Sequence, residues 1–288
     1  MKPAPFDYRK PKSLEDAAAL LGAHAGDAKI LAGGQTLVPM LNFRLATPSM
    51  LVDINDIEGL DRIELENGGL KLGSLVRWHE IETSATVRAA NPLLAEAVRH
   101  IAHYPIRSRG TWAGSSAHAD PAAEFPAVAV ACGARFGTYS SRGRRTIAAA
   151  EFFVGPLTTV LEPDEILTDV SFPQWPAERR WGFDEFSLRR GDFALAGVAV
   201  LIDGSGNTVS CRLTCFGACE KPSNLPRAEA IIAVEGLTDA VITRAAATAM
   251  HEIQPQSDIH ASADYRRALV EVLFDRTIRK AVHLEVDR

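Results

Sequence analysis

The sequence predicts an α+β fold, and three observations predict it. The opening reads helix, strand, glycine turn, short helix and strand, a compact βαβ-like unit too small to be a complete doubly wound dinucleotide domain. A hairpin signature, Asn67-Gly68-Gly69, then joins two short strands directly. The final part of the chain places strands first and helices last, the order of an α+β domain.

Each element rests on local chemistry. Ser13 has the side chain of an N-cap, with Asp16 three residues on, and opens an alanine- and leucine-rich helix to about Leu21. A short apolar strand from Lys29 to Ala32 is broken by Gly33-Gly34-Gln35-Thr36. A short helix follows near Leu37 to Phe43, where Pro39 is tolerable in the first turn, and Leu51 to Ile54 form the next strand. The hairpin strands run from Ile63 to Glu66 and from Leu70 to Gly73. Asn91-Pro92 starts a helix to about His100, with proline at its first position. Gly110 to Ala119 reads as a glycine- and alanine-rich loop. It leads to Asp120-Pro121, an N-cap followed by proline, and to a helix from Ala122 to Val130.

Strands lie near Ala134 to Tyr139 and Ile166 to Phe172, and Pro173 to Arg180 reads as a linker. Beyond it, Ala194 to Asp203 and Val209 to Phe216 pair across Gly204-Ser205-Gly206-Asn207. Helices near Arg227 to Val234, Asp239 to Ile253 and Ala261 to Val282 close the chain.

A chain of 288 residues has room for one large or two modest domains, each with its own core. The net charge of -5 gives no general drive toward nucleic acid or an anionic membrane. Basic residues cluster locally at Arg107 and Arg109, at Arg142, Arg144 and Arg145, and at Arg189 and Arg190. Such clusters are solvated faces or seats for a dianionic pyrophosphate. The stretch from Met1 to Lys10 has no apolar leader-like core, and no apolar run reaches membrane-spanning length, so a cytoplasmic location is expected. Cys211, Cys215 and Cys219 are evenly spaced, but the first two fall on a strand. There they share a face without converging on a metal cluster.

Two glycine-containing segments carry the candidate chemistry. In Ala32-Gly33-Gly34-Gln35-Thr36, the glycines let successive backbone N–H groups converge on phosphate oxygens, and the following helix presents its positive end. Gln35 and Thr36 add side-chain donors, although paired glycines after a strand also serve as simple turns. The second segment, Gly110-Thr111-Trp112-Ala113-Gly114-Ser115-Ser116, is mostly small, hydroxyl-rich and uncharged. Two such loops could enclose a pyrophosphate from both sides, and neither follows the GxGxxG or Gly-Lys-Ser/Thr phosphate patterns.

These residues carry a resemblance. Ala32-Gly33-Gly34-Gln35-Thr36, Arg44-Leu45-Ala46-Thr47-Pro48 and Leu51-Val52-Asp53-Ile54 resemble the N-terminal region of FAD-binding medium subunits of molybdenum hydroxylases. So do Ile101-Ala102-His103, Ile106-Arg107-Ser108-Arg109-Gly110-Thr111 and Ala117-His118-Ala119-Asp120-Pro121-Ala122-Ala123-Glu124. Phe152-Phe153-Val154-Gly155, Glu165-Ile166-Leu167-Thr168, Arg189-Arg190-Gly191-Asp192-Phe193-Ala194 and Gly197-Val198-Ala199 extend the likeness over nearly the whole chain. Phe183-Asp184-Glu185-Phe186 and Ser257-Asp258-Ile259-His260 resemble the N-heterocycle-hydroxylating group more than the carbon monoxide enzymes.

The resemblance implies a two-subdomain FAD-binding region of the vanillyl-alcohol-oxidase/PCMH-like kind over residues 1–57 and 58–173, then an α+β C-terminal domain over 181–288. It implies that Leu31, Ala32, Gly33, Gly34, Gln35, Thr36, Leu37 and Val38 wrap one side of the FAD pyrophosphate. Thr111, Ala113, Gly114 and Ser115 hold the other side. Ile101 and Ala102 would sit near the flavin ring, with Asp120, Glu124 and Leu167 along the cofactor. The family pattern Thr-Ile-Gly-Gly-Asn/Ser is replaced at Trp112 and Ala113, so the segment must keep φ negative there or absorb strain. Asp184 and Glu185 occupy a stretch where many relatives place a lysine near the flavin.

By the same resemblance, a large subunit with molybdopterin hydroxylates the substrate and a small subunit with two [2Fe–2S] clusters relays electrons to FAD held here, in a heterotrimer that is doubled. No nucleophile with an activating base stands out, and His118 reads as a loop histidine beside the cofactor. A free-standing flavoprotein oxidoreductase and a scaffold that has lost FAD are the alternative readings.

Overall fold

The computed structural model describes residues 2–24, 26–204 and 209–283, and these fold as the α+β arrangement that the patterning predicts. The first layer is a parallel sheet in the order β1-β3-β2, from β1 (Asp7–Arg9), β2 (Ala28–Leu31) and β3 (Met50–Asp53). Helix α1 (Leu14–Ala23) begins where Ser13 Oγ accepts from the Asp16 amide at 3.1 Å. It buries Ala17, Ala18 and Leu21 in one core with Met50, Val52 and Ile54. Helix α2 (Leu37–Asn42) follows the glycine turn.

The second unit opens with the hairpin of β4 (Ile63–Glu66) and β5 (Gly69–Gly73). Its turn has Asn67 at φ 51° and Gly68 at φ 78°, the two left-handed residues that a type I′ turn requires. Short helices follow: α3 (Trp78–Thr83), α4 (Ala85–Ala90), α5 (Pro92–Ala97), α6 (Tyr104–Arg107), α7 (Trp112–His118) and α8 (Glu124–Ala131). The chain returns through β6 (Arg135–Ser140), β7 (Gly143–Ala148), α9 (Ala149–Phe152), the small ribbon of β8 (Phe153–Gly155) and β9 (Thr158–Thr159), and β10 (Ile166–Phe172). The resulting antiparallel sheet has the order β4-β5-β10-β6-β7.

The third unit is an antiparallel sheet, β11-β12-β13-β14, from β11 (Arg180–Phe186), β12 (Ala196–Asp203), β13 (Ser210–Phe216) and β14 (Ser223–Asn224). Helices α10 (Pro226–Glu235), α11 (Asp239–Glu252) and α12 (Ala263–His283) pack on one of its faces. β12 explains its unbroken apolar run. Val198, Val200 and Ile202 point into the helix-side core, while Ala199 and Leu201 point into the core shared with the second unit. A Cβ on Gly197 would lie 2.1 Å from the Phe216 ring, so this glycine lets Phe216 cross the strand and stack on Phe183 at 5.7 Å.

Cys211 and Cys215 lie on β13, Cys215 buried in the helix-side core, and Cys219 lies beyond the turn at Gly217. Burial and the nearby Glu229 carboxylate push the Cys211 thiol up to about 12. β12 and β13 pair as expected, with Asp203 opposite Ser210. Of the turn read between them, only Gly204 lies within the described residues.

Three expectations are corrected. The segment from Gly110 to Ala119 is not a loop. Residues 112–118 form α7, capped by Thr111, whose Oγ1 accepts from the Gly114 amide at 3.1 Å. Asp120 does not cap the next helix. Its Oδ1 accepts from the Ala122 amide at 2.9 Å in a turn, and α8 starts only at Glu124. The helix from Asn91-Pro92 ends at Ala97, three residues before His100. α3, α4, α6, β7 and β11 had no expectation at all. The helices are too short for a 3.6-residue period to register, and β7 is mostly exposed, so its apolar alternation is missing.

The substitution at Trp112-Ala113 costs no backbone strain, because both residues are helical and neither has positive φ. Trp112 is instead an anchor. It is fully buried, its Nε1 donates to the Gly73 carbonyl at 2.6 Å, and its ring stacks on Phe136 at 5.8 Å. Replacing Trp112 by Ala should lower unfolding stability by about 3–5 kcal/mol. Trp112→Phe, which keeps an aromatic ring but loses the hydrogen bond to a Gly73 carbonyl that the Val76 amide still reaches at 3.1 Å, should lower it by about 1 kcal/mol. Urea unfolding of the two variants checks both values.

Candidate functional site

The three units meet around one cleft of about 1490 Å³. Of the residues singled out from the sequence, Ala32, Gly33, Gly34, Gln35, Thr36, Leu37, Ile101, Ala102, Thr111, Ala113, Gly114, Ser115, Asp120, Glu124 and Leu167 line it. Leu31 and Val38 do not. They back the first turn from beneath, each reaching within 3.2 Å of where a Cβ on Gly34 would sit. Gly34 itself has φ 72°, a conformation that its missing side chain makes accessible.

The two glycine segments touch through backbone. A Cβ on Gly33 would lie 2.4 Å from the Arg109 carbonyl oxygen and 2.8 Å from Gly110 Cα. Only glycine permits this approach, and it brings the first turn against the N-terminus of α7. Among the described residues the amides of Gly34, Gln35 and Thr36 have no acceptor, and Trp112 and Ala113 open α7, where helical amides lack partners. The Gln35 side chain turns back on its own loop, Nε2 donating to the Gly33 carbonyl at 3.2 Å, so the turn offers backbone donors above all.

A polar chain that the sequence reading missed fixes this junction. Tyr8 Oη donates to Asp53 Oδ2 at 2.5 Å, and Asp53 Oδ1 accepts from the Asn55 amide at 2.9 Å and from its Nδ2 at 2.6 Å. Asn55 Nδ2 also donates to the Ala32 carbonyl at 3.0 Å. The Arg77 guanidinium then donates to Asn55 Oδ1 and, at 2.5 Å, to the Arg109 carbonyl. Burial and the neighbouring Arg109 push the Arg77 guanidinium below its ordinary value. Asn55, two residues past a strand, and Arg77, before a short helix, look like ordinary turn residues in the sequence. Only the fold places them between the loops.

The far wall comes from the third unit, through Leu188, Gly191 to Leu195, and Gly217 to Glu220. Gly191, at φ 83°, sits where a Cβ would meet the Ala102 carbonyl at 3.1 Å, and Ala102 holds a left-handed φ of 41°. His118 lines the cleft at the end of α7 rather than in a loop.

Just before Ile101 and Ala102 lies a half-buried ionisable cluster. The His100 ring faces Glu185 at 3.6 Å and Glu96 at 3.8 Å. Burial opposes the charged ring, but hydrogen bonds to Glu185 and Glu96 outweigh it and lift the His100 pKa to about 9. Glu124 is raised to about 8, by burial first and by the Glu185 charge second.

Comparison with known proteins places the chain in a family. Residues 4–175 match the FAD binding domain in molybdopterin dehydrogenase, and residues 181–281 match the CO dehydrogenase flavoprotein C-terminal domain. The chain is 41% identical to the nicotine 6-hydroxylase medium subunit of Paenarthrobacter nicotinovorans, over 98% of this chain and 99% of the relative. It is 40% identical to subunit alpha of the 6-hydroxypseudooxynicotine dehydrogenase complex of the same organism, over 98% and 96%. A solved carbon monoxide dehydrogenase from Hydrogenophaga pseudoflava, which lacks the Mo-pyranopterin moiety of its cofactor, superposes with a TM-score of 0.95 at 36% identity, over 98% and 99% of the two chains. The chain belongs to the family of FAD-binding medium subunits of molybdenum hydroxylases.

Two outcomes follow from the network and cluster. Asn55→Leu removes the Ala32 carbonyl's partner and one of the two acceptors of the Arg77 guanidinium, so unfolding stability in urea should fall by about 1–3 kcal/mol. Arg77→Leu in that background should add less than it does alone, because the two side chains share one junction. The raised His100 pKa stabilises the fold fully below the unfolded histidine value of about 6.5, and this contribution is lost as pH rises through about 9. Urea midpoints should therefore fall between those pH values, with a shallower slope in His100→Gln.

Proposed function

We propose that the cleft holds FAD with its pyrophosphate between the turn at Gly33 to Thr36 and the start of α7 at Thr111 to Ser115. The single observation that carries this reading is the backbone contact of Gly33 with Arg109 and Gly110, which sets two rows of open amides on one cleft. The residues suit the group. Glycine supplies close approach, backbone N–H groups suit phosphate oxygens, and the cleft is long enough for an extended dinucleotide. Ile101, Ala102 and Leu167 supply an apolar wall for the flavin ring, and Asp120 and Glu124 lie along the remainder. The chain divides into units of residues 1–57, 58–173 and 181–288, a division supported by its separate sheets.

Bound FAD supplies a redox centre that takes up electrons and releases them to a different acceptor. The chain's own part is placement. The loops bind and orient the cofactor, and the third unit closes over it at Leu188 and Gly191 to Leu195, which limits access by water. The electrons come from [2Fe–2S] clusters on a small partner subunit, after a molybdopterin-bearing large subunit has oxidised the substrate, and they leave to an external acceptor. The assembly is a heterotrimer, doubled to a dimer of heterotrimers, and works in the cytoplasm. No helix among the described residues is long and apolar enough to cross a membrane. Identity to the nicotine-pathway subunits, 41% and 40%, exceeds the 36% to the carbon monoxide enzyme, which favours an N-heterocyclic substrate on the large subunit.

The purified complex should show a flavin absorption spectrum, and a complex that lacks flavin would overturn this function. Gly33→Ala should weaken FAD binding by at least about tenfold, or 1.4 kcal/mol, because its Cβ pushes the two loops apart. Equilibrium titration with FAD measures the change.

A further inference from the structure

We propose that Glu124 is a neutral carboxylic acid in the working protein and donates a hydrogen bond from the cleft wall to the bound cofactor. The inference rests on reading the cleft as the FAD site.

Charge counting in the geometry leads there. Glu124 opens α8, is 9% exposed and lines the cleft. The charges that act on it are those of Glu185 on β11, whose side chain is 5% exposed, His100 just after α5 and Asp120 ahead of α8, while Glu96 on α5 faces His100. The cations nearby are committed elsewhere. His100 lies between Glu185 and Glu96, and Arg99 pairs with Glu96 at 3.1 Å. Arg107 pairs with Glu82 at 3.0 Å and donates to the carbonyls of Ile101 and Ala102. Asp120 is occupied by the Ala122 amide.

His100 thus serves both Glu185 and Glu96, and among the described residues Glu124 has no ion-pair partner. A second buried anion beside Glu185 would be uncompensated, and such groups take up a proton instead. Glu185 is already short of partners, since its Oε2 is buried without a hydrogen bond. The burial and charge that raise Glu124 to about 8 act in the same direction. A protonated carboxyl has an O–H to donate, which an ionised one lacks. Glu185 makes the proton on Glu124 necessary.

The test uses the full chain stripped of FAD and titrated with FAD by flavin fluorescence from pH 6 to pH 9.5. If only the neutral acid donates, the wild-type Kd rises about tenfold between pH 7 and pH 9, as the neutral fraction falls. Glu124→Gln keeps a neutral donor, so its Kd should stay flat across that range. Glu185→Gln removes the repelling charge, so the rise should begin at lower pH. Infrared spectra at pH 7 should show a protonated carboxylic C=O band that Glu124→Gln lacks, a readout independent of binding. A wild-type Kd that does not change with pH, or a Glu124→Gln variant that follows the wild-type rise, would overturn the assignment while leaving the FAD site intact. Failure of the wild-type chain to bind FAD at any pH would overturn both.

Discussion

The close backbone contact between Gly33 and the Arg109–Gly110 peptide is the constraint on which the cleft depends. The first unit ends its β2 strand in a turn with free amides, and the second starts α7 with free amides, and neither row would meet the other if position 33 carried a side chain. The contact is held from behind. Tyr8, Asp53, Asn55 and Arg77 run from the first sheet to the Arg109 carbonyl without a gap. Each member satisfies the next, so a break anywhere in this half-buried chain leaves a polar group without its partner. The position of the loops is therefore set by groups that never line the cleft floor.

The same logic extends to the third unit. Gly197 admits Phe216 across β12, and Phe216 stacks on Phe183 in the core shared with the second unit. The Gly217 amide donates to the Pro121 carbonyl at 2.8 Å, and Lys221 Nζ donates to the Phe153 carbonyl at 3.1 Å. These ties keep Leu188 and Gly191 to Leu195 over the mouth of the cleft. Glycine at 33 and 191 thus does one job in two places, letting one unit approach another more closely than a Cβ would allow, and Gly197 makes room for a ring within the third unit.

Much of this was legible in the residues, for identifiable reasons. The cap at Ser13, the hairpin at Asn67-Gly68 and the strand from Ile166 to Phe172 are local signals, and local physics decides them. That the turn at 33–36 and the segment from Gly110 face one space was legible in their two glycine-rich stretches, though the direct backbone contact of Gly33 with Gly110 was not. α7 was hidden because glycine, serine and alanine dominate it, and a tertiary anchor, Trp112 under the sheet, makes it a helix. The departure at Trp112-Ala113, a source of strain if the segment were a loop, becomes a packing feature once it is helical. Asn55, Arg77 and the Glu124–Glu185–His100 cluster depend on contacts between residues far apart in sequence. Residue types alone carry no signal of such partners, and the fold supplies it.

The central claim is that one pyrophosphate lies between the two rows of amides. A crystal structure of the chain loaded with FAD tests it most directly. The account predicts phosphate oxygens within about 3.2 Å of backbone nitrogens in both the Gly33–Thr36 turn and the first turn of α7. A pyrophosphate bound to one row alone, or seated elsewhere in the cleft, would contradict it.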